Sequence, residues 1–415
     1  MLSIRGHPMN SKFVVLISPR DNEVQLVKRY GYKIILLRKE ITFEEILEVE
    51  VPIEIDLNNE SVVINKCLEI SEDYNIISVF TMNEYRIPLA SKLSEVLGLK
   101  YGLSYEASSK CRNKKLARQK LNELETGKVQ YQCITIQDDL TTKLKNFNFP
   151  LIVKPSNDSG SKNVFLCQNT QEVSIAVNSI LKSGVNNVGQ IIDPEILIEE
   201  FLEGPEFSVE SFTIHGQTTI IGITQKIVTQ PPLSIEIGHD FPANLDSNQA
   251  ENIEDLVIKS LKAIGVDHAV THTEVKLTKN GSKIVEINAR PGGDEIPHLV
   301  KVVTGIDLKD LAFRVTLGKE LDRPLISPPE ISSASIRFIL SEEEGIASFD
   351  NGFTSPYIIR KKWYIQNGDK VKKSESNFDR LGYFIVYGNE KTSSADRADL
   401  FLQQLDVKIR KLTEA

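Results

Sequence analysis

The stretch THTEVKLTKNGSKIVEINARPGGD at residues 271–294 restricts the fold more than any other part of this 415-residue chain. Residues 271–277 and 283–288 each alternate polar and apolar side chains, the mark of half-buried strands. Asn280-Gly281 between them signals a hairpin. A two-residue turn at Asn280-Gly281 would set Val275 opposite Glu286 and mix polar with apolar side chains. A three-residue loop, Lys279-Asn280-Gly281 with Gly281 left-handed, sets Glu274 opposite Glu286 and His272 opposite Asn288. It also gathers Val275, Leu277, Val285 and Ile287 on the other face, so the apolar pattern favours the odd loop. The polar face then carries two carboxylates and an amide. Like charges opposed across a sheet repel unless something neutralises them. A hard cation with oxygen ligands would do so, Mg2+ bridging to nucleotide phosphates being the usual case. A solvated hairpin face that binds nothing is the alternative. Arg290 follows, placed to face the same phosphates, and Pro291, Gly292, Gly293 and Asp294 come directly after it.

The run EINARPGG at residues 286–293 resembles the metal-binding signature of the ATP-grasp superfamily, and the resemblance extends over most of the chain. It implies Glu274, Glu286 and Asn288 as ligands of Mg2+, with Mn2+ as a substitute, and Arg290 as the group that stabilises a transferring phosphoryl. Residues 110–124 read as one strongly basic helix, which is often only a solvated face. Its subpattern Arg112-Asn113-Lys114, then Arg118, resembles the first nucleotide-binding lysine segment, with Lys114 as the match. Lys154 ends the short strand FPLIVKP, where an ammonium suits a phosphate. The polar loop at 156–162 resembles the flexible phosphate-covering loop, with Ser159 and Gly160 as the matching residues, although relatives are richer in glycine there. ILIEEFLEGPEF at 196–207 resembles the adenine hinge followed by the ribose acid. The match implies that Glu199, Glu200, Phe201 and Leu202 edge the adenine and that Glu206 accepts from the ribose hydroxyls. An edge strand with solvated acids is the bland alternative.

Further signals are less specific. Residues 13–18, 33–37 and 76–80 are apolar runs separated by helical patterns, which implies a doubly wound parallel sheet. No G-x-G-x-x-G follows the first run, which disfavours a dinucleotide fold. Glu84 follows the third run, where open sheets place ligands. It is a substrate-binding candidate or a carboxylate favoured by a helix dipole. Residues 210–223 form a hairpin around His215-Gly216, and 224–240 read as a loop crossing the cleft. EIGH at the end of that loop and FPA just after it (236–239 and 241–243) resemble a segment of the L-amino acid ligases, a dipeptide-forming ATP-grasp branch. The resemblance implies His239 near an acyl phosphate, while a lone histidine is otherwise more often structural. Asp294 has three readings: acceptor for a cationic substrate side chain, acceptor for the α-amino group, or cap of the helix expected from Pro297.

The expected organisation is a disordered tail at 1–12, an N-terminal α/β domain at 13–103, an ATP-grasp domain at 104–318 with a mobile lid at about 126–200, and a C-terminal α+β cap at 319–415. The cap, packed on the sheet, could help form a homodimer. A net charge of −8 argues against nucleic acid as a partner, and no run approaches a membrane span. Four scattered cysteines suit reduced thiols in the cytoplasm. The resemblance implies a ligase that uses ATP to join two amino acids through an acyl phosphate. Another ATP-grasp ligation or carboxylation, and a non-catalytic ATP-binding regulator, remain open at this stage.

Overall fold

The computed structural model describes residues 11–411 apart from 21, 161, 232, 320–329, 351 and 353. Positions 1–10 of the expected tail lie outside the described residues.

Strand Lys12–Ile17 pairs in parallel with Lys33–Arg38 on one side and Asn75–Phe80 on the other. Val14 and Leu16 share a core with helices Glu23–Arg29 and Leu308–Thr316. Phe13, Val15 and Ile17 share another with Glu60–Ser71 and Ile87–Val96. Both faces of the sheet are covered, which explains why the run is continuously apolar. A fourth strand, Val51–Glu54, joins the edge. The sequence reading misses it because it is only four residues long and includes Pro52, which an edge strand tolerates.

The central sheet is antiparallel and eight-stranded, in the order Gly281–Asn288, Ala269–Thr278, Glu206–Ile214, Gln217–Val228, Glu236–Phe241, Ser333–Ile339, Gly382–Gly388, Ile358–Trp363. The loop expected over 224–240 shrinks to 229–235, because Thr224 and Lys226 are polar yet buried, on a strand that runs to Val228. The strands of the C-terminal cap differ from the expectation as well. Ser333–Ile339 pairs with Glu236–Phe241, so the cap continues the central sheet edge to edge instead of packing on it.

A separate four-stranded antiparallel sheet, in the order Tyr131–Ile134, Ile196–Glu200, Leu151–Lys154, Phe165–Cys167, is covered by helix Thr170–Ser183. It has its own core, including Ile134, Val153, Val173, Ile180 and Ile198. The expected lid segment folds into this layer, which faces the central sheet across a cleft.

Phe313 links the parallel sheet to the central one. Its ring is fully buried and lies 5.1 Å from that of Phe80 and 5.3 Å from that of Tyr30. The surrounding core runs without a break from Val14 and Leu36 to Ile336 and Ile385. Phe313→Ala is therefore expected to cost about 3–5 kcal/mol in urea unfolding. A loss below about 1 kcal/mol would show that the sheets do not depend on this shared core.

Candidate active site

The hairpin at the heart of the chain pairs Glu274 with Glu286 and His272 with Asn288, as the apolar pattern requires. It reaches that register by a different route from the one the sequence suggests. Thr278 pairs with Gly281, which is left-handed at φ 93°, and the tip is one residue tighter than expected. The Thr278 hydroxyl accepts from Asn280 N (3.1 Å) and donates to the Gly281 carbonyl (2.8 Å). The register then shifts between Glu274 and Val275, with Val285 as the extra residue. As a result Ile284, not Val285, joins the buried face, and Val285 lines the cleft.

The basic stretch at 110–124 is two helices, Tyr105–Arg112 and Lys114–Leu121, and not one. Asn113 lies between them in an extended conformation, and its side chain accepts from Lys115 N and Leu116 N. This cap breaks the helix. It turns Arg112 and Lys114 toward the loop at 156–162. Arg112 donates to the Asn157 and Asp158 carbonyls, and Lys114 Nζ to the Asp158 carbonyl at 2.8 Å. Lys114 Nζ also lies 3.2 Å from Glu286. Ser159 donates to Tyr85 OH (2.8 Å), which itself donates to Asp158 (2.9 Å). The loop is thus docked against Tyr85 in the turn Glu84–Arg86 and against the two basic helices, with left-handed Gly160 at the cleft.

Lys154 and Glu199 sit side by side in the lid sheet, Nζ 2.6 Å from Oε2, and Arg118 pairs with the other oxygen of Glu199. Burial opposes ionisation of Glu199, but Arg118 and Lys154 outweigh it and hold its pKa down to about 2. Its carboxylate is therefore spent on the two cations. The strand ends at Glu200, and Phe201 and Leu202 leave the sheet to line the cleft. Glu206 lines it from the opposite wall. This half of the cleft is walled by the lid sheet on one side and the central sheet on the other.

At its centre stands Lys226, which the sequence reading does not single out. Its Nζ lies 2.7 Å from Glu274, 2.9 Å from Glu206 and 3.1 Å from Glu236. Burial disfavours the ammonium, but Glu274, Glu236 and Glu206 outweigh it and raise its pKa well above the ordinary value. Behind Glu274, His272 Nδ1 meets buried Glu210 at 2.6 Å and Nε2 meets Glu274 at 3.5 Å. Burial works against the imidazolium, yet Glu210 and Glu274 raise its pKa to about 9. A Cβ on Gly292 would stand 2.8 Å from His272 Nδ1, so only glycine lets the RPGG loop cross this histidine.

Beyond the hairpin the cleft opens into a second chamber, which shares Gly160, Lys226, Glu236, Glu274 and Glu286 with the first. Asn288, Arg290, Glu84 and Asp294 line it. Arg290 Nη2 donates to Glu84 at 2.5 Å, and Arg112 lies 3.6 Å from the same carboxylate. Burial raises the Glu84 pKa, but Arg290, Arg112 and Lys114 lower it further, so the group is an anion at neutral pH.

Asp294 and Glu295 are both left-handed, at φ 49° and 64°. Their carboxylates are tied down, Asp294 by Arg380 (2.9 Å) and Glu295 by Tyr383 and Arg360 (2.8 Å each). Helix Ile296–Thr304 has no side-chain cap, which overturns the capping reading of Asp294. His239 does not reach the chamber surface. It is fully buried, with Nε2 3.4 Å from Glu236 and 4.0 Å from Asp294. Burial lowers its pKa, but Asp294 and Glu236 outweigh burial and hold the ring above its ordinary value. Neither ring nitrogen has a hydrogen-bond partner among the described residues, and the ring stands edge-on to Phe338 at 5.7 Å.

Residues 147–297 match the model of the ATP-grasp domain. The uncharacterized protein y4rH of Sinorhizobium fredii is 25% identical over 96% of this chain and 84% of its own length. Alanine–anticapsin ligase of Bacillus subtilis is 26% identical over 71% of this chain and 66% of its own length. Dapdiamide A synthase of Enterobacter agglomerans is 25% identical over 56% of this chain and 55% of its own length. The crystal structure of L-amino acid ligase from Bacillus licheniformis superposes with a TM-score of 0.78 at 21% identity, covering 98% of this chain and 100% of that one. Residues 147–297 are thus an ATP-grasp domain, and the fold of the chain is like that of the L-amino acid ligase structure. No helix among the described residues is long and apolar enough to cross a membrane.

The buried Glu199 cluster gives a direct test of the lid layer. Glu199→Gln would leave Arg118 and Lys154 without a counterion and is expected to cost about 3–5 kcal/mol in denaturant unfolding. Because the Glu199 pKa is depressed on folding, its contribution is complete above the unfolded value of about 4.3 and is lost as pH falls toward about 2. The variant should therefore lose part of the acid sensitivity of the wild type below about pH 4. An unchanged stability and acid profile would contradict the assignment.

Proposed function

We propose that this chain is an ATP- and Mg2+-dependent ligase that joins two L-amino acids through an acyl phosphate, releasing ADP and phosphate. The observation that carries the reading is the second chamber. It opens directly off the first half of the cleft and holds the Arg290–Glu84 pair. A protein that only binds ATP has no use for it.

The first half suits the nucleotide. The backbone of Phe201 and Leu202, free of the sheet, meets the adenine edge, with Glu199 and Glu200 on the strand that supports it. Glu206 accepts from the ribose hydroxyls. Lys154, held by Glu199, and Lys114 face the phosphates, under the loop that carries Ser159 and Gly160. Glu274, Glu286 and Asn288 offer oxygen donors only, from one face of one hairpin, which fits a hard cation. They would hold Mg2+, which neutralises polyphosphate charge when bound; Mn2+ would substitute.

In the second half, ionised Glu84 accepts from the α-ammonium of the first amino acid. Arg290 beside it directs a planar cation at the developing oxyanion charge. A carboxylate oxygen attacks the γ-phosphorus, the bond from that phosphorus to the bridging oxygen breaks, and ADP leaves. The nitrogen of the second amino acid attacks the acyl carbon. The carbon–oxygen bond to phosphate breaks, the nitrogen loses a proton, and an amide remains. Phosphoryl transfer is mostly positioning and charge neutralisation, which is what these residues supply. A cytoplasmic setting and a homodimer suit this reading, with no nucleic acid or membrane involved.

A screen of amino-acid pairs with ATP and Mg2+ should find pairs that release ADP and phosphate, and hydroxylamine should capture the acyl group as a hydroxamate. Release of AMP and pyrophosphate would replace this mechanism by adenylation. Glu286→Gln should lower turnover about 100-fold or more while the unfolding midpoint stays close to that of the wild type. Equal losses in turnover and stability would refute its role as a ligand.

A further inference from the structure

The second chamber is closed on one side by a turn from the C-terminal segment, residues 376–380, in which the sequence shows no catalytic constellation. We propose that this turn sets side-chain selectivity: Phe378 receives the side chain of the first amino acid, and Arg380 withdraws Asp294 from recognition of cations. The inference rests on the ligase reading.

Three observations carry it. First, the turn is built rigidly. Asp379 accepts from Glu375 N (3.1 Å), Ser376 Oγ (2.8 Å) and Lys372 (2.8 Å), and Ser374 Oγ donates to the Asp379 carbonyl at 2.9 Å. Second, it is fastened to the cleft wall. Asn377 Oδ1 accepts from Glu236 N at 2.9 Å, while Arg380 donates through Nε (3.1 Å) and Nη2 (2.8 Å) to the Glu236 carbonyl. The guanidinium of Arg380 stacks 3.7 Å above the Phe338 ring and reaches Asp294 through Nη1. Third, between these two anchors Phe378 is 82% exposed and lines the chamber with Tyr364 and Ile296. A lone exposed phenylalanine is unremarkable on an ordinary surface. Here it is held on an ordered turn at the rim of the second chamber, whose lining also includes Tyr364 and Ile296.

The charge pattern points the same way. Asp294 is matched by Arg380, and Glu236 by Lys226. A lysine or arginine side chain would meet an Asp294 already paired with Arg380, whereas an apolar side chain gains contact area from Phe378 at no cost in desolvated charge.

The test is a set of kcat/KM values for first amino acids, with phosphate release as the readout. The wild type should prefer Leu, Met and Phe to Lys and Arg. Phe378→Ala should lower kcat/KM about tenfold or more for the bulky apolar substrates and about twofold or less for Gly and Ala, with KM for ATP unchanged. Phe378 is exposed, so folding is not at risk, and an unaltered melting temperature checks that point. Arg380→Gln should shift preference toward Lys and Arg by freeing Asp294, and Asp294→Asn in that background should abolish the shift. A wild type that prefers Lys or Arg, or a Phe378→Ala variant that slows all substrates equally, would overturn the inference and leave the ligase reading standing. Absence of phosphate release with every amino acid would remove the ligase reading, and this inference with it.

Discussion

One buried ammonium allows the cleft to exist in this form. Glu206, Glu236 and Glu274 project from three strands of the central sheet toward the same point, and Lys226 Nζ lies within 3.1 Å of all three. At an effective dielectric constant of 20, two like charges about 4 Å apart repel by about 4 kcal/mol, so three unmatched carboxylates would force the strands to twist apart or take up protons. Lys226 offsets part of that conflict, and His272 beside Glu274 adds a second cation. Lys226 also lines both halves of the cleft.

The same logic recurs outward from this point. Glu199 is matched by Arg118 and Lys154, Glu84 by Arg290 and Arg112, Asp294 by Arg380, and Glu210 by His272. Most of these groups are buried, Asp294 being the most exposed, and each pair joins elements distant in sequence. Buried pairs of this kind are seldom a net source of stability, but losing one partner is severe. They therefore read as devices that fix where the remaining cleft-facing oxygens and nitrogens point.

Much of this was legible in the sequence because it depends on local rules. The alternation in 271–288 is enough to oppose Glu274 and Glu286, since a slip of one residue would bury the wrong face. It does not reveal that the tip is tighter and that a bulge at Val285 restores the register. The basic stretch hides a break at Asn113, although an asparagine with helix-forming residues on both sides is a recognisable cap. Lys226 had a signal too: counting back from His215-Gly216 brings it within one residue of Glu206, its partner across the strands. Arg380 had none. It reaches Asp294 across 86 residues of chain, and the left-handed pair Asp294-Glu295 that it steadies has no glycine to announce it.

The central claim is that a substrate carboxylate, not water, receives the γ-phosphoryl group. It is tested most directly by running the reaction with a first amino acid labelled with oxygen-18 in its carboxylate and analysing the released phosphate by mass spectrometry. The account predicts one labelled oxygen in each phosphate, carried over when the amine displaces it from the acyl group. Unlabelled phosphate, or label found in AMP, would contradict it.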